Sequence, residues 1–230
     1  MSCILHIETS TSVCSVAVSE DSQVIFEQAH YEGPSHATQL APMVDEALSF
    51  AESHAIPLDA VAVSSGPGSY TGLRIGVSTA KGVAYGRGVP LLEVETLKLI
   101  TVPTLLYKED LPENALLVPM IDARRMEVYA AVYDRALNPL REVQPDVVTA
   151  STYLEWLERG PVYFMGDGAS KCQAVIQHPN AHFLSDQHPL AKHMAPLAEK
   201  KLLQGQTVDV AYFEPFYLKE FQTSTPKKLF

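Results

Sequence analysis

Short apolar segments separated by polar turns fill the start of the chain and predict three antiparallel strands, over residues 4–8, 13–19 and 23–31. A helix is expected to follow, because apolar side chains then recur at three- and four-residue spacing. Pro42 is expected to kink this helix or to delay its start. The apolar helical positions are Ala37, Leu40, Ala41, Val44, Ala47, Leu48 and Ala51.

The glycines concentrate in one stretch of the first half. Seven of the twelve glycines lie between residues 66 and 88. A buried strand is expected before them and a helix after them, with Ser69 or Thr71 as the N-cap and Gly86 or Gly88 at the end. Backbone conformation, or close approach to the backbone, therefore matters most in this stretch.

Small residues occupy every fourth position of that helix and form one row on one face. Each glycine inside a helix costs about 0.5–1 kcal/mol relative to alanine, so the row predicts a groove that another element fills. Two occupants are open: a helix of the same fold, or a helix of another subunit. Arg74 favours another subunit, because a cation in the first helical turn opposes the helix dipole and suits an acidic partner. The candidate partner interface contains Gly72, Arg74, Gly76, Ala80 and Ala84, with Leu40, Val44 and Ala47 of the preceding helix.

The glycine-rich stretch matches no common phosphate-binding or nucleophile motif. The P-loop pattern fails because five residues separate Gly66 from Gly72 and Leu73 follows in place of lysine. Thr71 stands where the dinucleotide fingerprint needs its third glycine. The spacing of a nucleophile elbow is also absent. No catalytic residue is predicted here.

The second half repeats the element order of the first. Glu8 aligns with Asp122 at an offset of 114 residues, and each carboxylate ends an apolar strand and begins a short turn. Gly166 and Gly168 repeat, at a strand-to-helix junction, the glycines of the first half. Two βββαβα halves are predicted, over residues 1–107 and 108–218, followed by a flexible tail over residues 219–230.

Composition excludes several functions. The formal net charge of −10 disfavours direct binding of a polyanion. The three cysteines form no CxxC pair, and no signal peptide or membrane span is apparent, so a cytoplasmic protein with reduced thiols is expected. His178 and His182 have the spacing of a metal-binding pair, but Pro179 and Asn180 between them argue against a helix, and no metal site is predicted.

Five segments resemble, in the same order, motifs of the bacterial TsaB family: ILHIETSTSVCSVAV, SSGPGSYTGLRIGVSTAKGVAYG, MIDARRMEVYAAVYD, GDGA and PFYLKEF. The resemblance implies two RNase H-like domains of the actin-like and sugar-kinase-like ATPase fold, each an α/β domain with a mixed sheet flanked by helices. It also implies a role in making threonylcarbamoyladenosine next to the anticodon of tRNA. In that role a paralogue, TsaD, performs the chemistry, and a small ATPase, TsaE, joins the complex.

The same resemblance implies that this chain is a non-catalytic subunit. It is expected to pair with the TsaD-type subunit, or with itself, through helices of the first domain, and to reach tRNA only indirectly. No cofactor is expected, and any nucleotide is expected only at an interface shared with partners.

The cleft between the halves is the alternative place for an activity. ATP-using members of this fold have glycine-rich turns after the two carboxylates, whereas neither turn here contains glycine. Glu8 and Asp122 are therefore expected to bond turn amides or to pair with Arg124 or Arg125. A small-molecule kinase or ATPase is the second hypothesis. No motif in the sequence supports peptidase activity. The predicted degenerate cleft contains Glu8, Thr9, Ser10, Asp122, Arg124, Gly166 and Gly168.

Overall fold

A computed structural model describes residues 2–32, 35–185 and 187–219 of the chain. Its first half forms a mixed five-stranded sheet with strand order β3-β2-β1-β4-β5. Strand β1 pairs antiparallel with β2 and parallel with β4. The elements are β1 (Cys3–Glu8), β2 (Cys14–Glu20), β3 (Gln23–His30), α1 (His36–Ser53), β4 (Ala60–Gly66), α2 (Tyr70–Arg87), β5 (Leu91–Glu95) and α3 (Thr96–Tyr107).

The second half repeats this topology in a sheet of order β10-β9-β6-β7-β8. Strand β6 takes the place of β1, because it pairs antiparallel with β7 and parallel with β9. The elements are β6 (Leu116–Asp122), β7 (Glu127–Tyr133), β8 (Pro139–Val147), α4 (Leu154–Leu157), β9 (Val162–Met165), α5 (Ala169–Cys172), β10 (Ala181–Phe183), a 3-10 helix (Ala191–Met194) and α6 (Ala195–Leu203). The prediction of two α/β halves with mixed sheets is thereby confirmed.

Two helices cross between the halves. Helix α3 packs against the second sheet, where Leu97 and Ile100 join a core with Leu117 and Ile121. Helix α6 returns to the first sheet, where Ala198 joins the core around Ile4 and Leu92. Each sheet therefore buries one face with a helix from the other half of the sequence, so the hydrophobic effect links the halves.

Helices α1 and α2 cover the opposite face of the first sheet. Leu40 and Ala47 of α1, with Val77 and Ala80 of α2, share one core with the strands. Pro42 lies inside α1 and does not delay its start, which is at His36. Ser69 caps α2 by accepting a hydrogen bond from the Gly72 amide, and Gly88 ends it in the left-handed conformation at φ +66°.

The second half differs from the prediction in its helices. The helix expected from residue 151 to about 159 is a four-residue helix, Leu154–Leu157, preceded by turns. Strand β10 and helix α6 were not predicted. Strand β10 has only three residues, none of them fully buried, so it carries almost no periodic signal.

Candidate functional site: helix α2 and the interdomain cleft

The row of small residues on α2 faces its own chain. A Cβ on Gly72 would lie 2.1 Å from the carbonyl oxygen of Thr9, and a Cβ on Gly76 would lie 2.1 Å from Thr9 Oγ1. The Thr9 hydroxyl donates a hydrogen bond of 2.8 Å to the Gly72 carbonyl. Ala80 and Ala84, further along the row, are 0% and 1% exposed. The turn after β1 and the first sheet thus fill the groove.

This placement corrects the predicted partner interface. Seven of its eight residues are buried within the chain, and only Arg74 is exposed. The physical reason is that glycine admits the Thr9 turn and alanine admits the sheet, so a segment of the same fold occupies the row. The seven are Leu40, Val44, Ala47, Gly72, Gly76, Ala80 and Ala84.

The opposite face of α2 is open to solvent. A Cβ on Gly82 or Gly86 would meet nothing within 4 Å, and Tyr85 between them is 84% exposed. Arg74 lies with its guanidinium carbon 5.3 Å from the centroid of the Tyr70 ring and donates a hydrogen bond of 3.1 Å to the Tyr70 hydroxyl. The sequence prediction did not include this face. The signal for it was the four-residue spacing of Gly82 and Gly86, with Tyr85 between them.

A cleft of about 660 Å³ separates the two halves. The turns after β1 and β6 face each other across it, with Ser10 and Thr11 on one side and Asp122 and Arg124 on the other. The N-terminal turn of α2 and residues 216–219 form further walls. The structure therefore brings the predicted turns together, as the repeat implied, and adds a C-terminal wall that the repeat did not suggest.

Glu8 lies beneath the floor of this cleft. Its side chain is fully buried, and Oε1 accepts hydrogen bonds of 2.5 Å from both the amide and the hydroxyl of Ser10. Burial raises the pKa of the Glu8 carboxyl to about 7. Its second oxygen, Oε2, is also buried, on the side of the Ser64 hydroxyl. Glu8 therefore holds its own turn and does not line the cleft.

Asp122 has the equivalent role in the second half. Its Oδ1 accepts a hydrogen bond of 2.7 Å from the Arg124 amide, two residues ahead, as Glu8 does from Ser10. The same oxygen lies 2.5 Å from Lys171 Nζ. Both carboxylates thus bond turn amides, as expected, but the ion-pair partner of Asp122 is Lys171 and not the predicted arginines. Arg124 and Arg125 have φ angles of +73° and +50°, a region that side chains other than glycine disfavour.

Glycines bring the loop after β4, and its counterpart after β9, against these turns. A Cβ on Gly68 would lie 2.3 Å from the Ser10 carbonyl oxygen, and one on Gly166 would lie 2.3 Å from the Met120 carbonyl oxygen. A Cβ on Gly168 would lie 3.0 Å from the carbonyl carbon of Ile121. Backbone of the same chain therefore occupies the close approach that these glycines allow.

The two histidines with metal-pair spacing, His178 and His182, contact other groups. His178 Nδ1 accepts a hydrogen bond of 3.1 Å from the Asn180 amide, and the His182 ring stacks on Tyr163 at 4.7 Å between centroids. Within residues 2–32, 35–185 and 187–219 no three metal-ligating side chains converge. In the same part of the chain, no helix is long and apolar enough to cross a membrane.

Comparison with known proteins gives consistent matches over nearly the whole chain. A family model described as "TsaD: tRNA N6-adenosine threonylcarbamoyltransferase" matches residues 24–227. The "tRNA threonylcarbamoyladenosine biosynthesis protein TsaB" of Escherichia coli is 31% identical over 94% of both chains. The protein of the same name from Bacillus subtilis is 32% identical over 76% of this chain and 75% of its own length. Among solved structures, YeaZ from Pseudomonas aeruginosa superposes with a TM-score of 0.77 at 26% identity, covering 95% of this chain and 100% of that one.

Proposed function

Because the chain belongs to the TsaB family, within the wider family that the TsaD model describes, we propose that it is a non-catalytic subunit of the assembly that makes threonylcarbamoyladenosine in tRNA. Its relatives are named for the biosynthesis of this modified nucleoside. In this proposal a TsaD-type subunit transfers the threonylcarbamoyl group, a TsaE-type ATPase joins them, and tRNA contacts this chain only indirectly. We expect the assembly to be cytoplasmic, because its substrate is tRNA.

The observation that carries the non-catalytic role is the set of hydrogen bonds and ion pairs made by the carboxylates that end β1 and β6, Glu8 and Asp122. Glu8 is buried under its own turn and bonded to Ser10, and Asp122 is bonded to the Arg124 amide and to Lys171. An oxygen that already caps its own turn is poorly placed to hold a magnesium ion or to activate water. The bulky arginines of the second turn, in place of glycine, also restrict the approach of phosphate to the backbone.

The proposed partner surface is the solvent-exposed face of α2 around Gly82, Tyr85 and Gly86. Glycines without neighbours let another helix come close, and tyrosine is among the residues that contribute most at protein interfaces. This surface replaces the buried row of the sequence prediction. We expect it to hold the TsaD-type subunit, and a second copy of this chain when that subunit is absent.

Reconstituted tRNA modification tests the non-catalytic role. With the TsaD-type and TsaE-type subunits, threonylcarbamoyl-adenylate and tRNA, we expect product only when this chain is added. Glu8→Gln and Asp122→Asn should leave the yield within about twofold, because neither group takes part in the chemistry. A loss of product with either variant, at unchanged folding and pairing, would contradict the proposal.

A kinase or ATPase that acts alone remains the second candidate, favoured by the size of the cleft. It predicts nucleotide hydrolysis by the purified chain without partners. Under the proposed role, that preparation should hydrolyse no more ATP than the Asp122→Asn variant does.

A further inference from the structure

The C-terminal residues 208–219 cross from the first half to the second, and we refer to them as the strap. Their beginning is fixed to the first half. The Val208 amide donates a hydrogen bond of 2.9 Å to the Leu91 carbonyl at the edge of the first sheet. Lys81 on α2 donates to the carbonyl oxygens of Ala211 and Phe213, at 2.9 and 3.1 Å. These bonds hold the strap along α2.

The middle of the strap lies on the glycine-rich loop. The Phe216 amide donates a hydrogen bond of 2.7 Å to the Ser65 carbonyl. The Phe216 carbonyl oxygen would lie 2.6 Å from a Cβ on Gly66, whose φ is +111°. The Tyr217 ring packs on the Tyr70 ring with 4.9 Å between centroids. Residue 216 and residues 65–66 of the glycine-rich stretch therefore meet backbone to backbone.

The end of the strap reaches the second half. Lys219 Nζ lies 2.5 Å from Glu127 Oε1, at the start of β7 beside the second turn of the cleft. The two side chains are 40% and 24% exposed. Phe216, Tyr217, Leu218 and Lys219 line the cleft in between.

We infer that the strap is a latch that sets the opening of the interdomain cleft. Its beginning and middle are held by backbone hydrogen bonds and close packing, whereas its end is held by a partly exposed ion pair. Such a pair is weak and is screened by salt, so the end detaches first. The closed latch bridges the two turns across the cleft. Its release widens the cleft on that side and gives solvent more access to both turns, while α3 and α6 keep the halves joined. This inference concerns the chain alone and does not rest on the proposed function.

Hydrogen exchange on the full-length chain tests the latch. Lys219→Ala and Glu127→Gln should each raise amide exchange about two- to fivefold in residues 10–12 and 122–127, the factor that corresponds to an exposed ion pair. High salt should raise exchange in the wild type and have little effect in the variants. Lys192→Ala is the matched control, because it removes another exposed ion pair, with Glu27 at 3.1 Å. Exchange in the latch variants equal to that in the control would overturn the inference.

Two truncations separate the strap from the residues beyond it. A chain ending at residue 219 should have wild-type amide exchange rates in both turns. A chain ending at residue 215 should exchange faster in these turns than the Lys219→Ala variant does. Wild-type exchange in the shorter chain would also overturn the inference. Circular dichroism checks whether each chain is folded. If the shorter chain is unfolded, the comparison of Lys219→Ala with Lys192→Ala tests the latch by itself.

Discussion

The hydroxyl oxygen of Thr9 lies 2.1 Å from the place that a Cβ on residue 76 would occupy. Thr9 also donates its hydroxyl hydrogen to the Gly72 carbonyl, so it is held against α2 and cannot swing away without losing that bond. Gly76 is thus required by the fold of a single chain.

Gly76→Ala should therefore destabilise the protein by about 1–3 kcal/mol, the usual cost of overpacking a close-packed site. Thr9→Ala should cost about 1 kcal/mol through the lost hydrogen bond. The double variant should lose less free energy of unfolding than the two single variants lose together, because removing the Thr9 hydroxyl makes room for the new methyl group. Urea unfolding of the four proteins measures this coupling. If Gly76→Ala has the stability of the wild type and loses only its ability to pair, then the row belongs to an interface after all.

Glu8 should make stability depend on pH. Burial raises its pKa to about 7 in the folded chain from an ordinary value of 4.5, so the folded state binds more protons than the unfolded state between these values. The stability that this group contributes is fully present below the unfolded pKa and is lost as pH rises through the folded pKa, at up to about 1.4 kcal/mol per pH unit.

Glu8→Gln should flatten this dependence, because a neutral amide has no proton to lose. The difference between wild-type and variant free energies of unfolding, followed from pH 5 to 8, isolates the contribution of Glu8 from other titrating groups. A difference that does not change with pH would show that Glu8 titrates normally.

Gly66 and Gly88 offer a matched pair of substitutions. Both have positive φ, at +111° and +66°, but a Cβ on Gly66 would meet the Phe216 carbonyl at 2.6 Å, whereas one on Gly88 would meet nothing within 4 Å. Gly88→Ala should cost about 1 kcal/mol, from backbone strain alone. Gly66→Ala should cost more, because φ +111° lies outside the left-handed region that alanine can adopt and because the new Cβ meets the Phe216 carbonyl, and it should also loosen the strap. Equal melting temperatures for the two variants would mean that the Phe216 contact carries no energy.

Local patterns in the sequence predicted the sheets well. The apolar strands ended by Glu8 and Asp122, and the glycine pairs after β4 and β9, mark corresponding points of two halves with the same strand order. Such features depend on neighbours in sequence, which propensity and periodicity report. Strand β10 and the four-residue α4 depend mainly on tertiary packing, and neither is long enough to produce a period.

The site was harder to predict because burial is a property of the whole fold. Small residues at positions 72 and 76 fit a partner helix and a turn of the same chain equally well. The position of Thr9 distinguishes the two alternatives. Thr9 lies more than sixty residues earlier in the sequence, and the pairing of β1 with β4 brings it under α2. Likewise, the strap contact between Phe216 and Gly66 joins residues 150 apart and leaves no periodic signal. The PFYLKEF segment was recognised only by resemblance. The tail beyond residue 219 lies outside the described residues, so its predicted flexibility stays a prediction.

Light scattering coupled to size-exclusion chromatography of this chain with its TsaD-type subunit tests the central claim most directly. The proposed role predicts a one-to-one complex for the wild type. It predicts none for Tyr85→Asp, because that change places a charge at the centre of the proposed α2 surface without disturbing the core. Leu203→Asp is the control, since Leu203 is 78% exposed on α6, away from that surface, and should pair normally. A Tyr85→Asp variant that pairs as well as the wild type would contradict the surface, and a wild-type chain that stays alone would contradict the role.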